Sequence, residues 1–489
     1  MKFLKRIKWG IAKRIRLMIC PYDKLFSDTK NSCHFIGIGG IGMSALAFIM
    51  KAQGFDIRGS DMKETAITEK LRKAGIEVSI GHNEKNLDNR TNVVVVSSAI
   101  PRNNPEIDKA LDMGIPIVKR SFVLGQVMKH KKGIAIAGTH GKTTTTTMIS
   151  LILERAGLDP VAMIGGEVRN IGGKNYLVGK GEYMVAEACE YDRSFLDLEP
   201  LIAVITNIEA DHLDCYLNIE EIKSAFTRFV SRIPENGLLV LSADDNNAME
   251  VAKAAQCNVI GYGFGSKNRM QDSILREYWE VEEVSQDNGE TTFVLSNGHI
   301  KEDFSLKIPG KHNVSDAAAS IIVTHHLGVD TKVIKDFLKD FRGTDRRFQI
   351  KGEKNRVTIV DDYAHHPTEI RSTLEGAKKF YKGKKLIAIF EPHQYSRTKM
   401  LLGEFGASFG NADLVIVLDI YAARDSEQDI KSVSAQDLVN EIKKNEKEAL
   451  HISGYDNVVK YLRENVKENS VVMTIGAGNV YKVGEEFLK

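Results

Sequence analysis

The chain has 489 residues, more than one hydrophobic core usually supports, so two to three domains are expected. A net charge of +2, with 27% charged residues of mixed sign, leaves no electrostatic footprint for nucleic acid. Five scattered cysteines without Cys-x-x-Cys pairing exclude a disulfide scaffold and read as reduced thiols of a cytoplasmic protein.

The first segment breaks the charge balance. Residues 1–20 carry Lys2, Lys5, Arg6, Lys8, Lys13, Arg14 and Arg16 and no acid, a local +7 that leaves the remainder at −5. These cations alternate with Phe3, Leu4, Ile7, Trp9, Ile11 and Ile15, a composition suited to weak peripheral contact with an anionic membrane surface. A basic extension that packs on the body or stays unstructured is the plainer alternative. The uncharged runs fall far short of the ~20 apolar residues needed to span a bilayer.

From His34 a short apolar strand turns through Gly37-x-Gly39-Gly40-x-Gly42 into a helical run, Met43 to Lys51. A second strand, Phe55 to Arg58, leads to Asp61, where a dinucleotide fold places its ribose ligand. Strands follow at Glu77 to Ile80, Val93 to Ser97 and Pro116 to Val118, so the unit reads as a parallel α/β domain.

The second unit opens on the most informative stretch, Gly138-Thr139-His140-Gly141-Lys142-Thr143-Thr144, set between the apolar run Ile134 to Ala137 and the helical run Thr145 to Glu154. Glycines there let backbone amides approach a polyphosphate, Lys142 can neutralise its oxygens, and the Thr143 hydroxyl can ligate Mg2+. ATP is the expected ligand. Ile136 stands where the usual pattern has a glycine, so the loop is a shortened variant. Glu187 ends a strand, Tyr183 to Glu187, as a Walker-B acid does, and strand Leu201 to Thr206 leads into Glu209, Asp211 and His212. Strand Gly237 to Ser242 follows. Alternation from Glu277 to Ile308, around Asn297-Gly298, suggests an antiparallel excursion.

After Gly343 a third strand–helix alternation begins, with strands at Val357 to Val360, Lys385 to Phe390, Leu414 to Leu418 and Val471 to Ile475 and a helix at Pro367 to Lys378. Three polar clusters flank these strands: Arg346-Arg347, Asp361-Asp362-Tyr363-Ala364-His365-His366, and His393-Gln394-Tyr395-Ser396-Arg397. Their arginines can grip a phosphate or carboxylate through a bidentate fork.

Taken in order, HFIGIGGIGMSALA, AGTHGKTTTTTM, EACEYDRSFL, TNIEADHLDCY, GKHNVSDAAAS, GTDRRFQ and DDYAHHPTEI resemble the Mur ligase family from His34 to about Gly478. The resemblance implies a basic extension at 1–30 and three α/β domains: a Rossmann-like UDP-sugar domain at 31–132, a P-loop ATPase at 133–343 and a Rossmann-like amino-acid domain at 344–489. It implies ATP and Mg2+ as cofactors, and a reaction in which ATP phosphorylates the carboxylate of UDP-N-acetylmuramate and L-alanine's amine displaces the phosphate. A monomer or homodimer is expected. Carried over, Lys142 binds the γ-phosphate, and Thr143, Glu187 and His212 hold Mg2+. His312 and Asn313 contact adenine, Arg347 stabilises the phosphoryl group, and Asp362 meets the nucleotide across the domain gap. His365 and Arg397 receive alanine. Gly37, Gly39, Gly40 and Gly42 line the UDP pyrophosphate, with Asp61, His82, Ser97 and Ser98 nearby.

The chain departs from the family pattern at Cys189 (an acid), Asp316 (an asparagine) and Gln394 (an arginine), while Phe226 stands where sister ligases have a modified lysine. Three other readings compete: a ligase attaching a preformed peptide in cell-wall recycling, a nicotinamide-dependent oxidoreductase resting on the glycine-rich turn and Asp61, and a non-catalytic nucleotide-binding scaffold.

Overall fold

The computed structural model describes residues 25–26, 28–212, 215–265, 273–287, 290–423 and 425–489. The membrane-contact expectation for residues 1–20 lies outside them. Among the described residues no helix is long and apolar enough to cross a membrane.

Valine- and isoleucine-rich strands buried on both faces build three sheets, each with a parallel core, as such composition requires. The first has five parallel strands in the order Glu77–Ile80, Asp56–Asp61, Ser32–Ile36, Thr91–Val96, Ile117–Lys119. The glycine-rich turn follows Ser32–Ile36, where strand order reverses and a crevice opens. The second sheet has ten strands: Lys301–Leu306, Glu290–Ser296, Glu277–Asp287, Asn258–Gly263, Leu238–Ser242, Ile202–Ile205, Lys132–Ala137, Tyr183–Glu187, Val161–Val168 and Lys174–Leu177. Its switch point is Lys132–Ala137, which runs parallel to Tyr183–Glu187 on one side and Ile202–Ile205 on the other. That topology brings the P-loop, Glu187 and the Asp211-His212 loop to one edge, although they are far apart in sequence. The third sheet has six strands in the order Gln349–Lys354, Val357–Asp362, Ser470–Ile475, Lys385–Phe390, Leu414–Val417, Ala449–His451.

The apolar core beneath the first sheet continues into one face of the second, with Phe48 stacked on Tyr176 at 4.6 Å, so these two units are cemented together. The third sheet buries its own apolar cluster on each face and meets the second sheet through polar groups.

The antiparallel excursion is present as Glu277–Asp287, Glu290–Ser296 and Lys301–Leu306. Five strands were not apparent in the sequence pattern: Val161–Val168 and Lys174–Leu177, Asn258–Gly263, Gln349–Lys354 and Ala449–His451. Gly165-Gly166 interrupts the first, Gln349–Lys354 is a polar edge, and Ala449–His451 has only three residues. The helix after the P-loop starts at Lys142, not Thr145, because Gly141 adopts φ +84 and ends the loop there.

Candidate active site

The P-loop is shaped by close approach. Gly138 sits at φ +132, and a Cβ there would lie 2.0 Å from Thr206 Oγ1; one on Gly141 would lie 2.3 Å from Asp316 Oδ1. Only glycine fits either position. The loop is pinned from the neighbouring strand end: the His140 amide donates to Asn207 Oδ1 (2.9 Å), and the Thr139 amide to the Asn207 carbonyl (3.0 Å). Beyond Gly141 the 14-residue helix Lys142–Arg155 presents its amide end to the cleft, so backbone donors and helix dipole favour a phosphate.

Lys142 turns back to donate to the Gly138 and Thr139 carbonyls and pairs with Glu190 at 3.0 Å. Burial opposes its charge, but Glu190 outweighs burial and raises its pKa. Glu190, itself buried, also lies 3.7 Å from His212 Nε2. Glu187 accepts from the Gly165 amide at 2.7 Å, which fixes its carboxyl at the strand end. A hydroxyl at the helix start (Thr143), a carboxylate (Glu187) and an imidazole (His212) therefore converge from three strand ends, a donor set that fits Mg2+ with retained waters.

A cavity lies between the second and third sheets, lined by Gly141, Thr144, His312, Asn313, Arg347 and Asp362, among others. His312 is half-buried, its buried Nδ1 has no protein partner, and desolvation pushes its pKa down to about 4, so the ring is neutral. Asn313 donates to the Pro309 carbonyl at 2.6 Å. Asp362 accepts from the Phe348 and Ala364 amides at 3.0 and 2.8 Å, and burial pushes its carboxyl up to about 6 against the pull of Arg347. Arg347 lies over the Tyr363 ring and 3.6 Å from Glu369.

On the acceptor side, Arg397 Nη2 donates to Asp211 Oδ1 at 3.0 Å across the domain boundary. His365 lies beside Arg397 and Glu369, and burial, with Arg397, holds its pKa near 4 against Glu369. The imidazole is thus neutral at physiological pH. Gln394 turns away and donates to the Ala423 carbonyl at 2.9 Å. Phe226 is fully buried against Phe195, so its position offers no polar group to the cleft.

In the first domain the Gly39 amide donates to Asp61 Oδ2 at 2.9 Å, so Asp61 braces the glycine loop. His82 meets Ser60 Oγ at 3.0 Å, and Ser98 donates to Asp192 of the central domain at 2.9 Å. Ser97 is half-buried at the end of Thr91–Val96. Gly37 adopts φ +78, and a Cβ on Gly40 would stand 3.4 Å from the Gly37 carbonyl, an ordinary contact. Gly42 packs on the guanidinium of Arg120, whose charge also faces Glu187.

Sequence reasoning missed Arg120, Glu190 and Glu369. Arg120 opens an ordinary helix, Glu190 lies in a motif read only for its first acid, and Glu369 reads as a helix-capping residue, which it also is. Cys189 is half-buried, and desolvation raises its thiol to about 11, so it carries no negative charge in place of the missing acid. At Asp316 burial pushes the carboxyl up to about 8, so at neutral pH it is a protonated acid, a close mimic of the asparagine amide it replaces.

A P-loop at one switch point, a glycine-rich turn at another and a third domain that meets the P-loop side of the second through polar contacts define a three-domain, nucleotide-dependent ligase architecture. Family models match in register: Mur ligase family, catalytic domain, over residues 32–132; Mur ligase middle domain over 136–324; and Mur ligase, glutamate ligase domain, over 346–478. The chain belongs to the Mur ligase family. It is 49% identical to the UDP-N-acetylmuramate--L-alanine ligase of Caldanaerobacter subterraneus subsp. tengcongensis, over 93% of this chain and 97% of that one. The crystal structure of UDP-N-acetylmuramate-alanine ligase from Thermotoga maritima superposes with a TM-score of 0.78 at 30% identity, covering 94% and 98%. A murein peptide ligase from Psychrobacter arcticus gives 0.69 at 26%, covering 94% and 98%.

Proposed function

We propose that this chain joins L-alanine to the carboxylate of UDP-N-acetylmuramate at the expense of ATP, the first amino-acid addition in peptidoglycan precursor synthesis, in the cytoplasm. Near-full-length similarity to L-alanine ligases carries the reading, and the local geometry supports it: Lys142 and His212 both lie against Glu190, Arg397 pairs with Asp211 next to His212, and Arg347 lines the cavity at the P-loop. The murein peptide ligase likeness is weaker in both identity and superposition, which favours free L-alanine over a preformed peptide. The oxidoreductase reading leaves the P-loop without a purpose, and the retained Lys142 and Arg347 argue against a scaffold.

A carboxylate is a poor acyl donor, and phosphorylation turns one of its oxygens into a leaving group. The muramoyl oxygen attacks the γ-phosphorus as the bond to the β-bridging oxygen breaks. The amine then attacks the acyl carbon, and phosphate departs with one former carboxylate oxygen. Lys142, released from the Gly138 and Thr139 carbonyls onto phosphate, and Arg347 offset the charge on the transferring group. Mg2+, held by Thr143, Glu187 and His212, would supply further charge neutralisation. Arg397 orients alanine's carboxylate, and neutral His365 can take the ammonium proton, which must leave before nitrogen can attack. The closed third domain keeps water from the acyl phosphate.

UDP-N-acetylmuramate labelled with 18O in its carboxylate tests this chemistry. One label per turnover should appear in the released phosphate. Unlabelled phosphate with amide formed would exclude the acyl phosphate.

A further inference from the structure

At the wall of the cavity between the second and third sheets, three groups from three different segments converge: His140 of the P-loop and Glu209 from the loop after Ile202–Ile205, which both line it, and His366, the cap of the helix Pro367–Phe380. Their ligand atoms lie within 4.8 Å of one another. His140 Nε2 is 3.5 Å and His366 Nδ1 is 3.7 Å from the same oxygen, Glu209 Oε2, and the two imidazole rings stand 4.9 Å apart. His366 is buried, and its side chain also caps the helix, accepting from the Thr368 amide at a long 3.4 Å and from the Glu369 amide, contacts that a bound ion would replace. His140 Nε2 is buried without a hydrogen-bond partner.

Two of the three are held from behind, as metal ligands are. Glu369 Oε1 lies 3.0 Å from His140 Nδ1, which orients the ring with Nε2 facing Glu209. Thr368 Oγ1 donates to Glu209 at 2.8 Å and orients that carboxylate. Two imidazoles and one carboxylate, with His140 and Glu209 braced from behind, form the three-ligand set of an open zinc site; imidazole nitrogen disfavours Mg2+. Tetrahedral ligands around Zn2+ stand about 3.3 Å apart, so shifts below roughly 1 Å would complete the geometry.

We propose that His140, Glu209 and His366 form a second cation site, distinct from the Mg2+ donors Thr143, Glu187 and His212, that takes Zn2+ or a similar borderline transition-metal ion. Its ligands come from the central domain and from the third, so a bound ion ties the third domain shut over the P-loop. The corollary that Zn2+ slows turnover by hindering reopening rests on the ligase reading; the binding itself does not.

The test is a titration of the full chain, free of Mg2+ and nucleotide, with Zn2+ in competition with a chromophoric chelator, and with Co2+ followed by its visible absorption. One Zn2+ per chain is expected, with a tetrahedral cobalt spectrum lacking a thiolate charge-transfer band. His366→Ala and Glu209→Gln should each weaken binding at least about 100-fold, and Glu369→Gln by about 10- to 100-fold, while His212→Ala leaves it intact. Melting curves identify any variant that fails to fold, and Glu209→Gln, which preserves shape, then carries the test. Unchanged affinity in His366→Ala and Glu209→Gln would overturn the site. So would loss in His212→Ala, or a thiolate band.

Discussion

Asp316 is the residue at which this chain most informatively leaves its family's pattern. Its carboxyl is buried against Gly141 and raised to about 8, whereas an unfolded aspartate titrates near 4. Between those values the folded chain binds a proton that the unfolded chain has lost, so the residue subtracts stability, and more of it as pH rises toward 8. Asp316→Asn should therefore raise the melting temperature, with a larger gain at pH 8 than at pH 5; an equal gain at both would mean the carboxyl is not protonated in the fold. Lys142 is the residue with the largest expected catalytic effect. Lys142→Ala should reduce kcat by about 10²- to 10³-fold or more with the melting curve little changed, and near-normal turnover would remove it from the phosphate site. Lys142, His212 and Arg347 were legible because each lies in a dense motif. Glu190 and Glu369 were not, because their roles depend on partners 48 and 229 residues away.

At the scale of elements, each sheet projects its chemistry from a strand's carboxyl end, and the tight turns there are what admit ligands. Gly141 is the clearest case. A side chain there would be forced into a left-handed conformation costing about 1–2 kcal/mol and would strike Asp316. Gly141→Ala should weaken ATP binding at least 10-fold by calorimetry while the chain still melts cooperatively, and unchanged affinity would contradict the cradle. Much of this layout was readable, since apolar runs of four to six residues followed by glycine or polar clusters mark buried parallel strands. The strands that escaped notice are those whose pairing is set by neighbours, such as the polar edge Gln349–Lys354 and Val161–Val168, interrupted by Gly165-Gly166.

On the scale of the whole molecule, the first two domains share an apolar core, whereas the third meets the second through His140 with Glu369, Thr368 with Glu209, and Arg397 with Asp211. Polar contacts of this kind exchange readily with water and substrate, which suits a domain that must open and close. Arg397 pairs with Asp211 across the boundary and, in the proposed reaction, would exchange that partner for alanine's carboxylate. Arg397→Ala should raise the KM for L-alanine roughly 10- to 100-fold, the effect of losing a hydrogen bond to a charged group, with a smaller change in kcat. An unchanged KM would put the alanine carboxylate elsewhere. The most direct test of the account is ADP release from the purified protein with Mg-ATP and UDP-N-acetylmuramate, with L-alanine, other amino acids or an L-Ala-γ-D-Glu-containing peptide supplied separately. Release that requires both the UDP-sugar and L-alanine is predicted; release driven by the peptide, or none with any acceptor, would contradict it.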